Sequence, residues 1–248
     1  SENFPDIDAK ESIIQRLCNR HTGIGSDGLF IISPSEKNDF LLDYYNSDGS
    51  WETFCANGSR GVSLFMYQSG KVGQKMIFET GAGVHWSEIK SDTMVIMSMR
   101  TPEYKSEELN PEESAGFFIN SGAHHFVCES DNLEDEYVLN LGRRIRQHQL
   151  FQPKGINVNF YKLGKDGTVE IRTYEKGVEQ MVLSCSSGST AVVFHLSQSF
   201  GLSSPITTTS PGGKLQFTFD KNWEDSTCEG PAEILYSGEF NYSPLDNA

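Results

Sequence analysis

Two short segments of this chain repeat one another: Cys55-Ala56-Asn57-Gly58-Ser59 and Cys185-Ser186-Ser187-Gly188-Ser189. They share the cysteine, the glycine and the final serine, and they lie 130 residues apart, about the length of one domain. Each follows strand-like and turn residues and opens an apolar run that ends on glycine. "SRGVSLFMYQSG" closes at Gly70 and "STAVVFHLSQSFG" at Gly201, each placed to cap a helix C-terminus. In the first run Val62, Phe65 and Met66 share one side, and Leu64 lies off it. The second carries Ala191, Val192, Val193, Phe194 and Leu196, and a helix apolar nearly all round must be surrounded by protein. The expected fold class is therefore α/β (α+β): two pseudo-symmetric domains, each a curved, mostly antiparallel β-sheet or barrel wrapped around a central helix.

Strand-like runs dominate the rest of the chain: 28–33, 39–45, 75–79, 93–99, 156–163, 168–174, 214–220 and 232–238. They are rich in β-branched and aromatic residues, with Asp-Gly and Gly-Gly turns between them. Further helices are expected over 9–20 and, more weakly, 139–149. The polar, acidic, proline-marked stretch 101–114 suggests a boundary. It would separate an N-terminal domain, 1–104, from a C-terminal domain, 105–237, with a closing strand, 238–248, returning to the first.

Composition excludes several function classes. With 20 basic against 34 acidic residues, the chain repels polyanions, so nucleic acid is not an expected partner. No apolar run is long enough to span a bilayer, and the first residues lack the basic flank and apolar core of a signal peptide. Five cysteines, an odd number without a C-x-x-C pair, point to free thiols in a reducing compartment. A cytoplasmic, membrane-free protein is expected.

A cysteine at a helix N-terminus meets unpaired backbone N–H groups and the positive end of the helix dipole, which favour its thiolate. The same N–H groups can seat a carboxylate. Two such sites on paired units suggest two thiols facing each other across a cleft. That arrangement suits removal of a proton from one face of a carbon and return of a proton to the other. Either cysteine alone would more often be a small buried hydrophobe; the repeated context argues otherwise for the pair. Cys18, Cys128 and Cys228 lack that context and read as structural. His124, His125 and Cys128 lie close in sequence, but no further clustered ligand supports a metal. "TGIGSDG" lacks the lysine and hydroxyl of a phosphate loop.

The two segments, "NSDGSWETFCANGSR" and "YEKGVEQMVLSCSSGS", resemble the patterns N-x-D-G-S…C-G-N-G-x-R and Y-E-R-G…C-G-T-G of the diaminopimelate epimerase family. The likeness continues through "RHTGIGSDGLFII", "NSGAHHFV", "IRQHQLFQPKGINVNF" and "GPAEILYSGEF". The resemblance implies an isomerase without pyridoxal phosphate or any other cofactor, and without a metal. Its small-molecule substrate would be the amino acid LL-diaminopimelate, inverted to the meso form for lysine and peptidoglycan precursors. By the same resemblance Cys55 and Cys185 are the acid/base pair, with His125 and Glu175 in support. Asn46, Asn157 and Glu175 would contact the substrate's distal end. Asn57, with the backbone of Ala56, Asn57, Ser186 and Ser187, would hold the carboxylate at the reacting carbon. Gly28, Ala123 and Lys176 complete the expected pocket, and the family's dimers make a homodimer an expectation.

Several positions depart from the family pattern. Lys176 stands in place of an arginine and loses its two-toothed fork. Ala56 and Ser186 replace glycines, and Ala123 replaces a polar residue. The family's first strand, with its Gly-Asn-Asp turn, has no counterpart at the start of this sequence, which would leave a strand edge open in the first domain. Three readings follow: diaminopimelate epimerase, a two-cysteine racemase of another amino acid such as histidine, or a catalytically silent binding module.

Overall fold

The computed structural model describes residues 7–239. A first group of elements comprises α1 (Ile7–Cys18), β1 (Gly28–Ser33), β2 (Phe40–Asn46), β3 (Trp51–Glu52), α2 (Ala56–Gln68), β4 (Lys75–Thr80), β5 (Gly83–Ser91) and β6 (Met94–Ser98). Next come β7 (Glu103–Tyr104), β8 (Gly116–Asn120), β9 (His124–Glu129) and α3 (Asp135–Gln147). The last group is β10 (Asn157–Leu163), β11 (Val169–Glu175), β12 (Gln180–Val182), α4 (Ser186–Phe200), β13 (Ile206–Ser210), β14 (Gly213–Phe219) and β15 (Ser226–Pro231).

The repeat seen around the cysteines extends to strand pairing. β1 pairs antiparallel with β2, β3 attaches to β2, α2 crosses over, and β4 returns parallel to β2 before the antiparallel β5 and β6. The pattern recurs element for element in β10, β11, β12, α4, β13, β14 and β15. A parallel pair cannot be closed by a hairpin, so each repeat needs its crossover helix. The last strands of the two repeats, β6 and β15, then pair antiparallel. They join everything into one sheet running β1-β2-β4-β5-β6-β15-β14-β13-β11-β10-β9-β8-β7.

The helix α2 packs on β5 and β6, α4 packs on β9, β10, β13 and β14, and the two helices touch. Gly188 through Leu196 form an unbroken buried stretch of α4, as its apolar sequence demands. Each fully buried aliphatic side chain there, such as Val192 or Val193, contributes about 1.5–3 kcal/mol. Both helices end on a glycine in the left-handed region, Gly70 and Gly201, each at φ 67°.

Three expectations are corrected. On α2 it is Leu64 that is buried, at 1 %, whereas Phe65 is 37 % exposed. The buried arc takes in Arg60, Ser63 and Leu64 as well as Val62 and Met66, so it is wider than a single apolar stripe. Secondly, α1 and α3 each begin before the predicted start, α3 at Asp135 rather than 139. Thirdly, the strand expected over 232–238 lies earlier, at Ser226–Pro231. Its partner β6 begins opposite Pro231 at Met94, and a last bond from the Ala232 N–H to the Thr93 carbonyl closes the pairing. The apolar residues beyond stay outside the sheet, with Leu235 81 % exposed. Of the expected closing strand 238–248, residues 240–248 lie outside the described part, and 238–239 are irregular.

The helix α3 approaches β11 so closely that a Cβ on Gly142 would sit 2.7 Å from Tyr174 Cβ. Alanine is the better helix former by about 1 kcal/mol, yet overpacking costs about 1–3 kcal/mol. Gly142→Ala is therefore expected to lose about 1 kcal/mol, read as a lower urea midpoint at unchanged slope. A gain in stability would mean that α3 can move away from the sheet.

Candidate active site

Cys55 and Cys185 occupy the N-cap positions of α2 and α4 with nearly the same backbone: φ −137°, ψ 103° and φ −133°, ψ 107°. In each case the fourth residue on, Ser59 or Ser189, returns its N–H to the cysteine carbonyl at 2.9 Å. What seats the helices so close to the sheet is the glycine in each motif. A Cβ on Gly58 would lie 2.1 Å from the Phe30 ring, and one on Gly188 would lie 2.1 Å from Asn159 Oδ1.

The guanidinium of Arg60 bridges the two helix starts. Its Nη1 donates to Ser186 Oγ at 2.9 Å, and its Nη2 to Asn57 Oδ1 at 2.8 Å. Arg60 is 1 % exposed; among the described residues its Nε has no hydrogen-bond partner, and the groups its Nη atoms bond are neutral. A sequence reading misses this residue, although a charge within a helix that must be buried is itself a signal.

The two sulfurs share one electrostatic environment. Burial pushes the Cys55 thiol up; the N–H of Gly58, the Arg60 charge and the N–H of Asn57 oppose this, and Glu175 reinforces it. Burial likewise drives Cys185 up, to about 12, with Glu175 adding to it, Ser187 and the Gly188 N–H opposing, and Cys55 itself adding. Neither sulfur makes a cap hydrogen bond, yet the helix N–H groups lie near enough to favour the thiolates. Helix starts favour thiolates as expected, but desolvation outweighs them.

Of the remaining residues, His125 and Glu175, at the ends of β9 and β11, act on the two helix starts. His125 is fully buried at β9, opposite Asn157 of β10, and its Nε2 lies 3.0 Å from Ser187 Oγ. Burial holds its pKa down at about 3, with His124 adding to the effect, so the ring is neutral. Asn157 donates to the His124 carbonyl at 3.0 Å and accepts from the Lys176 N–H at 2.8 Å, tying β9 to the end of β11. Glu175 is half-buried, and burial raises its pKa to about 7, assisted by Asp27 and Glu52. Read alone, the sequence suggests a surface ion pair between Glu175 and Lys176; among the described residues none forms. The carboxylate of Glu175 is near enough to act on both thiols, whereas Lys176 is exposed.

Gly28 and Asn46 stand opposite each other at the ends of β1 and β2. At Gly28 a Cβ would meet Tyr44 at 2.6 Å, and Tyr44 feels the charges of Cys55 and Glu175. The Asn46 side chain donates to Ser50 Oγ at 3.2 Å, so at present it serves its turn. Ala56 is buried in the first turn of α2, Asn57 is exposed, and Ala123 lies in the turn before β9, accepting from the Ser121 N–H. Among the described residues no group of three or more His, Cys, Asp or Glu side chains could hold a metal. Nor is any described helix long and apolar enough to cross a membrane.

The fold is shared with solved racemases and epimerases. A probable proline racemase from Agrobacterium radiobacter superposes with TM-score 0.73 at 14 % identity, covering 98 % of this chain and 84 % of that one. A hydroxyproline epimerase from Agrobacterium vitis gives TM-score 0.70 at 15 % identity, covering 94 % and 80 %. With the curated relatives below, this defines an isomerase of the epimerase class. The family model "Diaminopimelate epimerase" matches residues 2–105 and 117–235. Diaminopimelate epimerase of Aquifex aeolicus is 37 % identical over 246 residues, 96 % of this chain and 88 % of that protein. That of Flavobacterium psychrophilum is 34 % identical, covering 91 % and 88 %. The chain belongs to the diaminopimelate epimerase family.

Arg60→Met removes the one cation that favours the Cys55 thiolate. Iodoacetamide modification of Cys55, followed by peptide mass across pH, is expected to slow about tenfold at a fixed pH below its pKa. An unchanged profile would show that the guanidinium does not act on that sulfur.

Proposed function

We propose that the chain interconverts LL- and meso-diaminopimelate without a cofactor, using Cys55 and Cys185 as the acid/base pair. The observation that carries this reading is the matched placement of the two thiols. They sit in identical cap geometry on two touching helices whose first turns are bridged by one arginine.

In one direction a thiolate takes the α-proton and becomes a thiol. The opposite thiol gives its proton to the other face of the carbon and becomes a thiolate. The carbon is inverted, and the exchange is reversed for the opposite reaction. Negative charge delocalises into the substrate carboxylate as the proton leaves. Backbone N–H groups at the starts of α2 and α4 are positioned to receive it without reorganising. Burial raises both thiol pKa values, so a thiolate there is a strong base.

The charge of Glu175 acts on both sulfurs, which supports a role for its carboxylate beside the reacting carbon, where it would meet the α-ammonium, in addition to the distal contact the family resemblance implies. Asn46, which corresponds to Lys176 across the two repeats, is assigned to the distal amino-acid end together with Lys176 and Asn157. Lys176 offers a single point charge there. The expected cytoplasmic location and homodimer belong to the same proposal.

Incubation with LL-diaminopimelate in heavy water tests the reading by α-deuterium uptake and inversion. Cys55→Ala and Cys185→Ala are each expected to lose at least about 100-fold in inversion; retained inversion in either would remove the two-thiol mechanism. Because Glu175 must be charged to hold the ammonium and titrates at about 7, kcat/KM should fall as pH drops below that value. Glu175→Gln should abolish that acid limb.

A further inference from the structure

Cys55 and Cys185 sit in matched caps, but their neighbours differ. The residue two positions after Cys55 is Asn57, whose Oδ1 is taken by Arg60. The equivalent residue after Cys185 is Ser187, whose Oγ lies 3.5 Å from Cys185 Sγ and 3.0 Å from His125 Nε2. Behind His125 stands Asn159, fully buried in β10. Its Nδ2 lies 3.0 Å from His125 Nδ1 and donates to the Phe126 carbonyl at 3.4 Å, while its Oδ1 accepts from Thr173 Oγ1 at 2.9 Å.

The direction of every hydrogen in this chain follows from one fact. A backbone carbonyl can only accept, so the amide nitrogen of Asn159 must face Phe126 and His125. His125 Nδ1 then accepts, and the single proton of a neutral ring sits on Nε2. That N–H donates to Ser187 Oγ, which leaves the hydroxyl hydrogen of Ser187 free for the sulfur. Gly188 is part of the same device, because a Cβ there would sit 2.1 Å from Asn159 Oδ1. At the matching position of β1 the chain has Leu29, which cannot do this for Cys55.

We propose that Asn159 is a positioning residue: it holds His125 in the Nε2–H tautomer and thereby commits the Ser187 hydroxyl hydrogen to Cys185, stabilising its thiolate. One thiolate of the pair is thus supported by an oriented chain of neutral dipoles and the other by a buried cation. The inference rests on Cys185 acting as acid or base.

Two measurements test it without reference to turnover. In the unaltered protein, two-bond proton–nitrogen NMR of labelled histidine, assigned by loss of signals in His125→Gln, is expected to show the Nε2–H tautomer throughout pH 5–9. The Nδ1–H tautomer, or titration within that range, would overturn the proposal. In the second, iodoacetamide modification of Cys185 is followed by peptide mass across pH. Glu175 of β11, Cys55 of α2 and His125 of β9 face this sulfur in every variant compared. Asn159→Leu is expected to slow modification of Cys185 about tenfold at a fixed pH below its pKa and to leave Cys55 within twofold. In a Ser187→Ala background Asn159→Leu should add nothing further. An equal effect with and without the Ser187 hydroxyl would show a merely structural role and refute the relay. If the tautomer and thiol results hold while the unaltered protein exchanges no α-hydrogen of diaminopimelate, the relay stands and the epimerase reading alone fails.

Discussion

Two buried helices that begin at one pocket leave backbone N–H groups there without partners inside the helix. Something must satisfy them, and neither cysteine side chain caps the turn it starts. An anion placed between the helix starts would gain two sets of preset donors. The sheet exists to hold this geometry. Strands β6 and β15 pair as equivalent members of the two repeats, so the helices that follow the same path in each repeat are brought into contact.

The duplicated scaffold carries unlike chemistry. At 130 residues' separation, Asn57 corresponds to Ser187, Asn46 to Lys176, and Leu29 to Asn159. One helix start is held by a guanidinium reaching across to Ser186, the other by a histidine and an amide. A racemising centre must treat two faces of one carbon alike in geometry, but the rest of the substrate is not symmetric. Identical caps with different surroundings meet both demands.

Charge is distributed to match. Asp27 and Glu52 act on Glu175, and Arg60 is a buried cation at the two helix starts. Carboxylates crowded in a poorly solvated pocket hold protons more tightly, which is why Glu175 titrates near neutrality. In the proposed reaction an arriving ammonium would relieve that crowding, and a substrate carboxylate would bring negative charge to the helix starts.

Much of this was legible from local pattern. The cysteine caps, the glycine stops, and the apolar run from Ala191 to Leu196 could be read because capping and helical burial depend on residues a few positions apart. The boundaries of β1, β2, β4, β6, β10, β11 and β14 fell within a residue or so of the pattern, whereas β5, β8, β9 and β13 were not read at all. The strand at 232–238 was misplaced because its apolar side chains look like a strand's, while pairing depends on where β6 begins. Asn159 escaped notice although an amide in a strand, where amides are disfavoured, is itself a signal that a sequence can carry.

From sequence alone came the duplication, the pair of thiols at helix starts and the family, since each is written in contiguous residues. Only the tertiary structure decided that Arg60 joins the two helix starts and that Glu175 turns inward and titrates near 7. Those properties arise from burial and from partners far along the chain, and no local pattern encodes them.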